Sequence, residues 1–209
     1  GQQKWTLLGT LARYALTEQE LAEFPETSAE TAWLVELDKW TLAYRRHQSE
    51  PEPLVDRVLR WLRANPPPPA QKLSFVHGDY RTGNFLYNRD GQLRAVLDWE
   101  MAHAGDPHED IAWAICPTWG WPDANRPGFL ITRDEAFGIW EQTSGLRIDP
   151  QALHWWSLFS TVKGIGLWTA CAHNVMQNGS LNAIEFAACW FPRDCHLRLM
   201  AELLFAKVP

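Results

Sequence analysis

The stretch His77-Gly78-Asp79-Tyr80-Arg81-Thr82-Gly83-Asn84 leads into two β-type runs, 84–88 and 93–98, around Arg89-Asp90-Gly91-Gln92, and closes on Asp98-Trp99-Glu100. Asp-Gly between apolar runs is a strong hairpin signal. With the turn at Asp90-Gly91, Asn84 and Asp98 are expected nearly face to face, their Cα atoms roughly 5 Å apart. An amide oxygen and a carboxylate so placed can share one hard cation. Mg²⁺ suits such a pair, because it keeps waters and relies on few protein ligands plus substrate phosphates. Asp79 lies five residues before Asn84, where it can accept a proton from a hydroxyl presented at a metal-bound phosphate.

Working outward, the next segment reads Gly105-Asp106-Pro107 and then Asp110-Ile111-Ala112. His-x-Asp-x-x-x-x-Asn followed by a metal-binding Asp is the layout of a kinase catalytic loop and its downstream aspartate. The wording HGDYRTGNFL with LDWEMAHAGDPHEDIAW closely resembles the aminoglycoside phosphotransferase and choline kinase superfamily. It is most similar to the branch fused to acyl-CoA dehydrogenases. The resemblance is tight over 77–112, and the helical flanks extend it over the chain.

The resemblance implies an α+β, predominantly α-helical fold: the C-terminal lobe of the protein-kinase-like fold, with a small catalytic β-hairpin. It implies an ATP- and Mg²⁺-dependent phosphotransferase acting on a hydroxyl of a small molecule, with GTP as an alternative nucleotide. Asp79 would be the catalytic base, Asn84 and Asp98 the Mg²⁺ ligands, and Glu100 a further metal-site residue acting through water. His77 would brace the loop, and Asp110 would support it from the next helix. Arg81 would offset charge at the γ-phosphate, or else be a solvated loop arginine. Two alternatives stand beside this reading. One is a two-metal hydrolase using His103 and His108 with Asp79 and Asp98, although no paired-ligand motif such as His-x-x-x-His supports it. The other is a non-catalytic helical module that binds a metabolite or a protein partner.

The flanks are helical. Thr27-Ser28-Ala29-Glu30 has the form of a capping box. The helix it opens carries Trp33, Leu37, Trp40 and Tyr44 on one face. A second helix, from about 54 to 64, turns Leu54, Val58, Trp61 and Leu62 inward and stops at the tetraproline 66–69, which reads as a stiff loop. Asp106-Pro107 and Asp149-Pro150 start helices, Thr132-Arg133-Asp134-Glu135 is a further capping box, and Pro192 is expected to break or start the last helix. The organisation expected is a helical segment 1–70, a catalytic loop, hairpin and metal site over 71–112, and a helical acceptor-binding subdomain 113–209. In that subdomain Trp119, Trp121 and Asp123 are candidate acceptor contacts, since flat aromatics stack on sugars or hold cations.

Composition narrows the classes. A formal net charge of −6 in 209 residues argues against nucleic-acid binding. The four cysteines form no Cys-x-x-Cys pair and read as reduced thiols of a cytoplasmic protein. The most apolar stretch, 153–172, is interrupted by His154, Lys163 and two glycines, so no membrane partner is expected. An enzyme of this kind also has an N-terminal lobe, with a lysine gripping the α- and β-phosphates. No strand-borne lysine precedes Gly78 here: Lys4, Lys39 and Lys72 lie in other settings. The chain therefore reads as a C-terminal lobe, either part of a longer parent that carries the N-terminal lobe or a lone lobe with another task, with little or no kinase activity expected from the chain alone.

Overall fold

The computed structural model describes all residues except 121, 122, 124, 127, 129, 180–182 and 207–209. The elements run α1 (Gln2–Arg13), α2 (Glu18–Leu21), α3 (Ala32–His47), α4 (Pro53–Ala64), β1 (Ser74–Val76), β2 (Phe85–Tyr87), β3 (Leu93–Val96), β4 (His103–Gly105), α5 (His108–Ala114), α6 (Pro117–Gly120), α7 (Arg133–Ser144), α8 (Pro150–Asn178) and α9 (Ala183–Phe205). This is an α+β chain in which helix dominates. It divides into two compact units, residues 1–32 with 68–153 and residues 33–67 with 154–209, one boundary falling inside the tetraproline.

The first unit carries the candidate site. α1 buries Trp5, Leu8 and Ala12 against Ala136 and Trp140 of α7, with Tyr80, Phe85 and Ile111 in the same core. The close approach rests on Gly9, where a Cβ would stand 2.7 Å from Thr143 Cβ. α7 starts on the expected capping box: Thr132 accepts from the Glu135 amide while Glu135 accepts from the Thr132 amide. It ends at Gly145, whose φ of 76° is the left-handed stop that glycine tolerates without cost. α1 also clamps the loop region. Its Ala12 carbonyl accepts from Ser74 Oγ at 2.8 Å, its Lys4 carbonyl accepts from the Tyr80 hydroxyl at 2.6 Å, and Gln3 Oε1 accepts from the Leu93 amide at 2.6 Å.

Two short antiparallel ribbons complete this unit. β1 pairs with β4, Val76 opposite His103, and β2 pairs with β3, Phe85 opposite Val96 and Leu86 opposite Ala95. The hairpin turns where expected. Asn88 Oδ1 accepts from the Asp90 and Gln92 amides, and Gly91 takes a φ of 73°. β4 has no signature in the sequence, since three residues ending in glycine become a strand only by pairing with β1.

Lys4 is the unexpected core residue, 1% exposed. Its ammonium donates to Thr82 Oγ1 at 3.3 Å and lies over the Tyr80 and Phe85 rings, 5.6 and 5.4 Å from their centroids. Burial pushes this ammonium down to about 8, against the opposing pull of the Asp110 charge. The folded state therefore releases the Lys4 proton before the unfolded chain does. Stability is expected to be flat below pH 8 with respect to this group, and to rise as pH climbs from about 8 to the ordinary lysine value of about 10.4. Lys4→Met should remove that rise and add about 1–3 kcal/mol at pH 7. Thermal melts at pH 7 and pH 10 check it; a lower Tm for the variant at pH 7 would contradict it.

In the second unit α3, α4, α9 and the part of α8 from His154 onward form a helical core. Leu37, Trp40 and Tyr44 are buried as expected, whereas Trp33 is half-buried and packs edge-on against Trp155. α4 buries Val55, Val58, Leu59 and Leu62, so Leu54 and Trp61 stand at the margin of its inward face. The capping box expected ahead of α3 does not form. Ser28 instead makes a local turn, its hydroxyl accepting from the Glu30 amide at 3.2 Å and its amide donating to Thr31 Oγ1 at 3.0 Å, and the helix begins at Ala32. Pro192 does not break the last helix but sits inside α9. Residues on both sides of it pack on α8: Cys189 Sγ lies 3.0 Å from Cys171 Sγ, and the His196 ring fills the space a side chain at Gly164 would need. That packing offsets the one helical hydrogen bond the proline removes. All four cysteines are free thiols. No described helix is long and apolar enough to cross a membrane.

Candidate active site

The loop 77–84 leaves β1 and is gripped from α5. Asp110, 1% exposed, accepts from the His77 amide at 2.7 Å and from the Gly78 amide at 2.9 Å. Burial raises its carboxyl above the usual range, while those backbone donors pull the other way. Gly78 has a φ of 82°, and a Cβ there would meet the Met101 carbonyl oxygen at 2.5 Å, so the turn accepts only glycine. Asp106 begins α5 by accepting from the His108 amide at 2.9 Å and from His108 Nδ1 at 2.8 Å.

His77 is fully buried. Its Nδ1 accepts from the Asp79 amide at 3.1 Å and its Nε2 lies 3.0 Å from the Leu97 carbonyl. That pattern calls for a neutral ring with its proton on Nε2. The imidazole thus ties the loop to the end of β3 and stacks obliquely on Trp99, 4.4 Å between centroids.

Asp79 sits at the centre. Its Oδ1 accepts from Trp113 Nε1 at 2.6 Å. Its Oδ2 accepts from Asn84 Nδ2 at 2.7 Å and from Arg81 Nε at 3.2 Å. Arg81 is the outermost donor, its side chain 34% exposed against 9% for Asp79, and its guanidinium carbon lies 5.3 Å from the centre of the Trp119 ring. Trp119 in turn packs on Trp113 at 5.2 Å. Arg81 is therefore not a solvated loop residue. It closes a ring of contacts, Asp79–Trp113–Trp119–Arg81, around the carboxylate.

The hairpin puts Asn84 opposite Leu97 rather than Asp98: the Leu97 amide donates to the Asn84 carbonyl at 2.8 Å. Asp98 follows one residue later, exposed, with a φ of 68°. Asn84 and Asp98 are thus one residue out of direct opposition, and the left-handed step at Asp98 re-aims the chain after β3. Asn84 is 5% exposed, and its Nδ2 also donates to the Asp79 carbonyl at 2.9 Å, which turns the amide oxygen away from Asp79. Glu100 is exposed in the turn beyond.

Of the candidate acceptor residues, Trp119 joins the Asp79 ring of contacts. Asp123 is engaged locally, accepting from the Asn125 amide at 3.0 Å and facing Arg126 at 3.7 Å. Trp121 lies outside the described residues. The histidines of the hydrolase alternative have other partners: His103 Nε2 meets Glu109 Oε2 at 3.1 Å, and His108 joins Asp106 and the Asp149 amide. Trp113 is the residue that sequence reasoning missed. Its signal was its place three residues after Asp110 on α5, the spacing that puts two side chains on one helix face.

Comparison with known proteins identifies the family. The chain matches the phosphotransferase enzyme family (APH) over residues 5–156. Acyl-CoA dehydrogenase family member 10 of Mus musculus is 34% identical over 80 residues, 38% of this chain and 7% of that protein. Family member 11 of Homo sapiens is 30% identical over 78 residues, 37% of this chain and 10% of that protein. Among solved structures, a Ralstonia eutropha protein assigned to the aminoglycoside phosphotransferases superposes with a TM-score of 0.81 at 20% identity, covering 98% of this chain and 64% of that one. Spectinomycin phosphotransferase, solved with ADP and spectinomycin, gives 0.58 at 13% identity, covering 97% and 66%. An amicoumacin kinase solved with AMP-PNP and Ca²⁺ gives 0.57 at 15% identity, covering 95% and 59%. The chain therefore spans about two thirds of these phosphotransferases or less, and a tenth or less of the curated relatives. With the family matched over most of its length, and its fold that of the helical C-terminal lobe of the protein-kinase-like phosphotransferases, the chain belongs to the phosphotransferase enzyme family.

Proposed function

We propose that this chain supplies the catalytic loop and cation site of an ATP- and Mg²⁺-dependent phosphotransferase whose acceptor is a hydroxyl on a small molecule. The observation that carries the reading is the buried Asp79 carboxylate, held by Trp113 and Asn84, with Arg81 as its more exposed donor. Such a group can orient an acceptor hydroxyl and take its proton. The cation fits the donors present. The Asn84 amide oxygen and the Asp98 carboxylate are hard ligands of the kind Mg²⁺ prefers, and Glu100 is a further carboxylate two residues on. Bound there, Mg²⁺ would neutralise phosphate charge.

The chain's own residues do the rest. His77 and Asp110 hold the loop, Asn84 spans the base and the cation site, and Arg81 exchanges its hold on Asp79 for the transferring phosphoryl group. Trp119, which packs on Trp113 and under Arg81, borders the same space and offers an aromatic face to the acceptor. The neighbours solved with adenine nucleotides, and those named for spectinomycin and amicoumacin, support a nucleotide and a small-molecule acceptor.

Calorimetric titration of Mg-ATP into the full-length protein tests the reading. Binding that requires the divalent cation and weakens at least tenfold in Asp98→Ala is expected, that being the scale for losing one charge-assisted contact. Cation-independent binding, or none, would reject it.

A further inference from the structure

Asp79 offers four lone-pair positions on two oxygens, and the structure divides them unequally. Oδ1 faces Trp113, whose indole is 1% exposed and sits at 2.6 Å. Oδ2 faces Asn84 at 2.7 Å and Arg81 at 3.2 Å. Trp113 cannot leave without dismantling α5, because the same helix carries Asp110 and its grip on the His77 and Gly78 amides. Arg81 can leave, since its side chain is one third exposed and its other described neighbours are the face of Trp119 and Gly83.

We infer that Trp113 is the positioning residue of the catalytic base: it pins Oδ1 permanently and assigns Oδ2 as the oxygen that receives the acceptor's proton once Arg81 has moved aside. This rests on the reading of Asp79 as base. It adds which oxygen reacts, which donor is fixed and which donor yields. In the step itself the acceptor O–H bond breaks, its proton goes to Asp79 Oδ2, and its oxygen electron pair forms the new bond to phosphorus as the bond to ADP breaks. Trp113 transfers nothing. Its N–H keeps the carboxylate plane from rotating, so that Oδ2 stays directed at the hydroxyl. Positional errors of this kind are costly, because much of the advantage of a bound reaction comes from alignment.

The test uses the full-length protein with Trp113→Phe. Loss of one hydrogen bond to a charged group should lower kcat by about 10- to 100-fold, with KM for ATP within about twofold, because no nucleotide contact is touched. Should Trp113→Phe fail to fold, β-(3-benzothienyl)alanine at the same position keeps the bicyclic shape and lacks only the N–H. A second readout does not depend on activity. With ¹⁵N-indole-labelled protein, the resonance that disappears in Trp113→Phe should lie downfield, as expected for a proton donated to a carboxylate, and should move upfield in Asp79→Ala. An unmoved resonance, or full kcat with the N–H removed, overturns the inference. A protein that shows the indole shift but transfers no phosphate to any acceptor would instead overturn the reading of Asp79 as base, and with it the assignment of Oδ2.

Discussion

Asp79→Asn in the full-length protein is expected to lower phosphoryl transfer by about 10²–10⁴-fold, the range that positioned general bases contribute, while Mg-ATP affinity stays within about twofold. The substitution preserves the outline of the side chain. Its amide oxygen can still accept from Trp113, but its amide nitrogen then faces Asn84 Nδ2 and Arg81 Nε, donors where Oδ2 had accepted from both. A modest loss of stability, about 1–3 kcal/mol for buried polar groups left unpaired, should accompany the loss of activity. Steady-state kinetics with a thermal melt separates the two effects. A variant that keeps more than a tenth of the parent kcat would show that Asp79 does not act as base.

Asp110→Ala is expected to cost the fold about 3–5 kcal/mol, read as a lower urea midpoint at unchanged slope. Two buried backbone amides, those of His77 and Gly78, lose their acceptor together, and no water can reach a site that is 1% exposed without opening the loop. Asp110→Asn keeps one acceptor and should lose less than half as much. The carboxyl also gives stability a pH dependence. Burial raises its folded-state pKa above the unfolded value, so the folded protein binds the extra proton in that interval. Stability therefore falls as pH rises from the ordinary aspartate value of about 3.9 through the raised folded one. Asp110→Asn should flatten that part of the curve. A variant as stable as the parent would mean that the loop is held by something other than this carboxylate.

What could be read in the sequence, and what could not, follows from how local each cause is. The loop 77–84, the turn at Asp90-Gly91, the cap at Thr132 and the start of α5 depend on residues a few positions apart, and each was visible from spacing alone. Asn84 faces Leu97, one residue short of Asp98, and the register irregularity between Leu86 and Tyr87 has no sequence mark. Lys4 stands in the wrong setting for a phosphate clamp, and nothing near it in sequence marks it as a core residue. Its burial depends on Tyr80, Thr82 and Phe85, some 80 residues away in the chain. β4 and the passage of α9 through Pro192 are likewise set by partners distant in sequence. Trp113 was hidden for a different reason. Among 13 tryptophans an indole on a buried helix reads as core, and only the position of Asp79 shows that its N–H has a charged partner.

The left-handed backbone at Asp98 has one more meaning. Among the described residues it is the one non-glycine with positive φ, a conformation that costs an ordinary residue of order 1 kcal/mol or more and glycine almost nothing. Glycine at this position would relieve that strain in the same step that discards the carboxylate. Aspartate is therefore held at position 98 against a backbone preference for glycine.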